Sequence, residues 1–196
     1  MTKGKWIAAA AAGTAAVAAA AYYLNDRNAE KPDYDLLIEE GPFALRAYPA
    51  MIVAETEQPG QREIALGNGF RMLADYVFAR SRPGDKLAMT APVMQRPANR
   101  EDRWITRFVM PKKLELADLP APAAGVELRE LPARKLAAVR FSGAVDPATL
   151  AAKETALNEW LVGRGLEPAG PVEYAFYNSP FIPGVLRRNE VLIAVD

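Results

Sequence analysis

The chain has 196 residues, enough for one domain with a sizeable core, and its basic and acidic side chains balance at 24 each. Cysteine and histidine are both absent. That excludes disulfides, thiolate nucleophiles, zinc fingers and Ser-His-Asp or Cys-His machinery, and no basic stripe suggests a nucleic-acid partner.

Residues 1–28 read as a segment apart from the fold. Lys3 and Lys5 precede residues 6–24, an uncharged, alanine-rich run of 19 residues that closes on Leu24 after Tyr22 and Tyr23. The length suits one membrane span, and tyrosines suit a headgroup boundary. The small residues Ala19, Ala20 and Ala21 also satisfy a signal-cleavage rule. An uncleaved anchor, a removed signal and a soluble alanine-rich helix are the three readings, and the anchor is the one we carry forward. Positive charge ahead of the run would keep that end cytoplasmic and place the body outside the cytoplasm. The body is residues 29–196; the chain after Leu24 carries 22 basic against 24 acidic side chains once Lys3 and Lys5 are set aside.

The body opens with three short predicted strands at 34–39, 43–48 and 51–57, separated by Gly41-Pro42 and Pro49. Residues 62–80 have helical spacing. Leu66, Phe70, Leu73 and Val77 form the expected inward stripe, leaving Arg71, Ala74, Asp75 and Phe78 on the outer side. Gly67 and Gly69 weaken the early turns. Residues 86–93, an apolar run after Arg82-Pro83-Gly84-Asp85, read as a buried strand that Pro92 must break or bulge. Strands at 104–110, 126–131 and 135–143 follow, the first two joined by a proline-bearing connection. Asp146-Pro147 signals a helix start, with Leu150, Ala151, Leu157 and Leu161 turned inward and a stop at Gly163 or Gly165. Strands at 171–177 and 188–195 flank an apolar loop containing Pro180, Phe181, Ile182 and Pro183.

The chain also repeats itself weakly. Leu-Arg-x-x-Pro-Ala occurs at 45–50 and again at 128–133, and a helix and two strands follow each copy. The expected fold is α+β: two pseudo-symmetric strand–strand–helix–strand–strand repeats forming one curved, barrel-like antiparallel sheet with two packed helices. A groove where helix meets sheet is the usual place for a small ligand.

Five stretches in order carry a family likeness: the 34–48 hairpin; Gly69-Phe70, Leu73 and Tyr76; Lys86-Leu-Ala-Met-Thr-Ala-Pro-Val93; Phe141-Ser-Gly143; and Tyr177-Asn-Ser-Pro180 with Arg187-Arg-Asn-Glu-Val191. Together they resemble the SOUL haem-binding family across the body. The resemblance implies a pseudo-symmetric α+β fold that binds haem or another tetrapyrrole in a shallow groove beside the first helix. Mapped here, that groove would use Arg71, Ala74, Asp75, Phe78, Phe181 and Ile182, with Met72 or Tyr76 near the ring. Arg71 would serve one propionate, while Asp75 and Ile182 stand where a cation would help. With neither His nor Cys to ligate iron, haem would be held mainly by apolar contact, Met, Tyr and Lys being the iron-binding types left.

Three functions follow as expectations: a non-catalytic, membrane-tethered tetrapyrrole carrier; an enzyme using Glu55, Glu173 or Glu190 as a general base; or a membrane adaptor with Phe78 and Phe181 in one apolar patch. The carrier is the primary reading. Thr90 reads as a hydroxyl bonded to backbone, and Arg187, Arg188 and Glu190 as strand-end ion-pairing residues.

Overall fold

The structure, a computed structural model, describes residues 28–196. The alanine-rich run at 6–24, and the anchor reading that depends on it, therefore lie outside the described residues. Among the described residues no helix is long and apolar enough to cross a membrane.

Among the described residues, nine strands form one antiparallel, curved and unclosed sheet: β1 (Asp35–Glu40), β2 (Phe43–Tyr48), β3 (Met51–Pro59), β4 (Val93–Pro97), β5 (Arg103–Val109), β6 (Glu127–Leu131), β7 (Arg134–Phe141), β8 (Glu173–Phe176) and β9 (Asn189–Val195). Their spatial order is β1-β2-β7-β9-β8-β4-β5-β3-β6. Helix α1 (Arg62–Val77) packs on β3 and β5, and helix α2 (Pro147–Val162) on β7 and β9. The expected α+β class and two-helix architecture hold.

Side chains alternate across the sheet, as the two-residue period of a strand requires. Ala137, Val139, Val191 and Ile193 meet Leu150, Leu157 and Leu161 of α2. Ala54 and Phe108 meet Leu73, Tyr76 and Val77 of α1. Their neighbours Val53, Val109, Leu136, Ala138 and Leu192 form a third cluster on the opposite face.

Helix α2 follows its sequence signals closely. Asp146 caps it by accepting from the Thr149 amide at 2.8 Å, with Pro147 in the first turn. Leu150, Leu157 and Leu161 are buried as expected, but Ala151 is exposed. It sits about 100° round the helix from Leu150, off the stripe.

Helix α1 keeps half of the expected stripe: Leu73 and Val77 are buried, but Leu66 and Phe70 are not. It buries Ala65, Gly69, Leu73, Ala74, Tyr76 and Val77, while Phe70 is 41% exposed and sets its ring edge against Phe108 at 5.3 Å. The cause is a close approach. A Cβ on Gly69 would lie 2.6 Å from Thr106 Oγ1, so Gly69 makes the close approach to β5, and Phe70 reaches Phe108 only from the margin.

Residues 86–93 are not a strand; β4 begins where that run was expected to end. Pro92 cannot donate to a ladder, and the Ala91–Pro92 bond is cis. The segment is tied instead by Leu87 N to Val77 O at 2.8 Å, Ala91 N to Glu30 O at 2.8 Å, and the Thr90 hydroxyl to Val109 O at 2.5 Å. Thr90 thus has the backbone role expected of it.

Candidate ligand-binding site

The seven expected contact residues divide between two places. On α1, Arg71 is exposed and lies 3.4 Å from Asn68 Oδ1. Asp75 pairs with Arg80 at 3.3 Å, and the Arg80 guanidinium sits 5.4 Å from the ring of half-buried Phe78. Met72 turns toward the sheet, where its sulfur accepts from Gln58 Nε2 at 3.0 Å. Ala74 is buried in the core. Arg71, Asp75 and Phe78 remain available to a ligand on that face; Ala74 does not.

Phe181 and Ile182 belong to loop 179–186, between β8 and β9. Here Phe181 is 85% exposed and Ile182 only 2%. The loop is held firmly: Arg187 donates to the carbonyls of Ile182 and Pro180, both at 2.6 Å, and Gly143 N donates to Gly184 O at 3.0 Å. Those anchors lie on the α2 side, since Gly143 joins β7 to α2. Ile182 is a peg that seats the loop, and Phe181 points away from it into solvent.

Against this loop lies a cleft of about 500 Å³, walled by Pro42, Phe141, Ser142, Val185 and Leu186 and by three arginines, Arg140, Arg187 and Arg188. No carboxylate is among its lining residues. Arg140 is exposed and has no acidic partner among the described residues. Arg188 stacks on the Tyr177 ring at 4.0 Å and donates to Glu190 at 2.8 Å. Arg187 is already bonded to the loop carbonyls and Arg188 to Glu190, so Arg140 is the guanidinium that this apolar wall leaves to a flat molecule bearing a carboxylate. Sequence reasoning looked for such cations near Asp75 and Ile182 and missed these. The signal was present: Phe141-Ser-Gly143 and the Arg187-Arg188 pair, far apart in the chain, are joined by the Gly143–Gly184 bond and the β7–β9 ladder.

A second cleft, about 640 Å³, lies where the arm at 32–33 passes β3 and the segment after β5. Met51, Ile52, Met110, Leu114 and Leu116 give it an apolar lining. Its charges are Asp33, Glu115 and Glu130 against Lys112, and Lys112 is already paired with Asp33 at 2.8 Å. Met51, Met110 and Lys112 are of the types that could reach an iron in a chain without His or Cys, but the acidic rim repels carboxylates. Among the described residues no cluster of three acidic side chains is placed to hold a metal ion.

The three glutamates considered as bases are all buried in arginine pairs. Glu55 accepts from Arg107 and Arg129, each at 2.7 Å. Glu173 accepts from Arg134 at 2.6 and 3.2 Å, with Arg107 at 3.7 Å. Glu190 accepts from Arg46 at 2.8 and 3.1 Å, from Arg188, and from the Tyr177 hydroxyl at 2.8 Å. Burial alone would raise the Glu190 carboxyl, but the Arg46 hydrogen bonds and the Arg188 charge outweigh it and hold it below the ordinary range. A carboxylate stabilised in its charged form is a poor proton acceptor.

A sequence model described as SOUL heme-binding protein matches residues 29–194. Comparison with curated proteins finds no match. Among solved structures, the EcmrR C-terminal domain is similar at 16% identity and TM-score 0.56, covering 83% of this chain and 98% of that one. EcmrR in its DNA complex is similar at 16% identity and TM-score 0.59, covering 79% of this chain and 57% of that one. A structure described as a hydrolase from Listeria innocua aligns at 10% identity and TM-score 0.52, covering 86% and 94%. At such identities these likenesses speak to fold alone.

Proposed function

The chain belongs to the SOUL heme-binding protein family, and from that premise we propose that it binds a flat, carboxylate-bearing tetrapyrrole in the arginine cleft. The observation that carries the placement is the set Arg140, Arg187 and Arg188 in a lining without a carboxylate. Arg140 would hold a ligand carboxylate, and Pro42 and Phe141 would cover part of the ring. A bound tetrapyrrole would bring a conjugated, light-absorbing ring and, as haem, a redox-active iron.

The role we read is a carrier's, without catalysis. Arginine pairing of Glu55, Glu173 and Glu190 supports that reading, because it leaves no candidate base free among them. The uncharged run at 6–24 is read as a membrane tether with the body outside the cytoplasm, supported by its length and by Lys3 and Lys5 ahead of it.

Haemin titration of the full chain in detergent, followed by Soret absorbance, tests the binding claim. A saturable one-to-one shift is expected. Arg140→Glu should weaken it about tenfold, the scale of one lost charge-assisted hydrogen bond, and Arg71→Ala should not. The opposite ranking would move the site to α1. A non-saturating curve for the unaltered chain would reject tetrapyrrole binding.

A further inference from the structure

Three large apolar side chains stand in water on one loop, two of them the most exposed large apolar side chains among the described residues. In loop 179–186, Phe181 is 85% exposed, Val185 80% and Leu186 51%. Floppiness does not explain the display, because Ile182 is buried beneath the loop and Arg187 and Gly143 fix its backbone. A rigid loop that holds three such side chains outward is a surface for something apolar.

Its flank is cationic. Arg140 and Arg187 line the adjoining cleft, whose lining contains no acidic side chain. Apolar tip and basic flank together match the boundary of an anionic bilayer, with hydrocarbon below and phosphate at the rim.

The described part of the chain begins beside Ala91, ahead of β4. Ala29 packs in one cluster with Ala91 and Tyr177, and Glu30 O accepts from Ala91 N. Tyr177 lies two residues before Ser179, where the loop begins. Upstream, the uncharged run ends at Leu24.

We propose that loop 179–186 is a membrane-contacting loop: Phe181, Val185 and Leu186 enter the boundary between headgroups and acyl chains, and Arg140 and Arg187 meet anionic headgroups. The inference rests on the tether reading and shares Arg140 with the ligand cleft proposed above. Its consequence is that the arginine cleft opens at the bilayer surface, where an apolar ligand is most concentrated.

The absence of cysteine makes the test clean, since one introduced cysteine is a unique labelling site. The full chain carrying Val185→Cys is labelled with an environment-sensitive fluorophore and reconstituted into vesicles of phosphatidylcholine with phosphatidylglycerol. Val162→Cys is the control, because Val162 is 77% exposed at the far end of α2. The expected result is blue-shifted emission and quenching by spin-labelled lipid at position 185, with position 162 as in water. Adding Arg140→Glu should reduce the shift several-fold, as should high salt. Co-flotation is scored in parallel. A chain that floats while position 185 stays aqueous keeps the tether and overturns the loop; a chain that does not float overturns both. A blue shift already present without vesicles and rising with protein concentration assigns the loop to a second copy of the chain, which also overturns the proposal.

Discussion

Glu190 is wholly buried yet charged, and four groups meet its two oxygens or their immediate surroundings: Arg46, Arg188, Tyr177 and, through Arg46, Tyr48. Replacing it by Gln leaves two guanidinium groups without their counter-charge. Glu190→Gln should cost about 3–5 kcal/mol in urea unfolding; a loss under about 1 kcal/mol would show that the pairs are dispensable. Gly69 makes a second case at this scale. Helix propensity says that alanine should improve it by up to about 1 kcal/mol, but the added Cβ would meet Thr106 at 2.6 Å. Gly69→Ala should therefore destabilise by about 1–3 kcal/mol, while Gly67→Ala, with nothing within 4 Å, should stabilise. Thermal melts of the two variants check the opposite signs. In the sequence both glycines read alike, because what separates them is a contact with another strand.

Among the elements, α2 was legible and α1 only in part, for a physical reason. Helix α2 carries its own punctuation in Asp146, Pro147 and Gly163, and its three leucines sit on one stripe. Helix α1 has no side-chain cap, and its large apolar residues compete with small ones for the sheet. Periodicity favours Leu66 and Phe70; close packing on Thr106 favours Ala65 and Gly69. Leu157→Ala and Leu73→Ala, both at fully buried sites, should each cost about 2–5 kcal/mol. Phe70→Ala, at a site 41% exposed, should cost less than either, as ranked by denaturation midpoints. Residues 86–93 misled for a related reason. Their apolar character is that of a core segment, but their backbone amides bond Val77 and Glu30 individually, and the Thr90 hydroxyl bonds Val109, instead of forming one ladder.

For the molecule as a whole, the fold class could be read from the order of elements, but the basic cleft could not. Arg140 lies on β7 and Arg187 and Arg188 follow loop 179–186; only the β7–β9 ladder brings them to one wall. The face away from the helices is also a whole-molecule feature, because its ion pairs join strands that are not neighbours, as in Arg46 of β2 with Glu190 of β9. That face sets the pH range of the fold. Glu190 titrates below its ordinary value when folded, so its contribution is complete above the usual glutamate range and is lost as pH falls through the folded value. Tyr177 behaves in the opposite sense: burial first, then the Glu190 charge, raises it well above the usual tyrosine value. Burial and the Glu154 contact raise Tyr174 likewise. Stability held by neutral tyrosines is present below about pH 10, the value in an unfolded chain, and falls as pH rises beyond it. Melting temperature should therefore form a plateau around neutrality and decline below about pH 4 and above about pH 10, with Tyr177→Phe softening the alkaline decline. A profile flat to high alkali would contradict the buried-tyrosine account.

The most direct test of the central claim pairs one protein charge with one ligand charge. Protoporphyrin and its dimethyl ester, titrated into the unaltered chain and into Arg140→Glu, form a double-mutant cycle on the proposed contact. The account predicts that the substitution weakens the free acid about tenfold and leaves the ester nearly unchanged. Equal effects on both ligands, or none on either, would mean that the arginine cleft does not read the carboxylates of a tetrapyrrole.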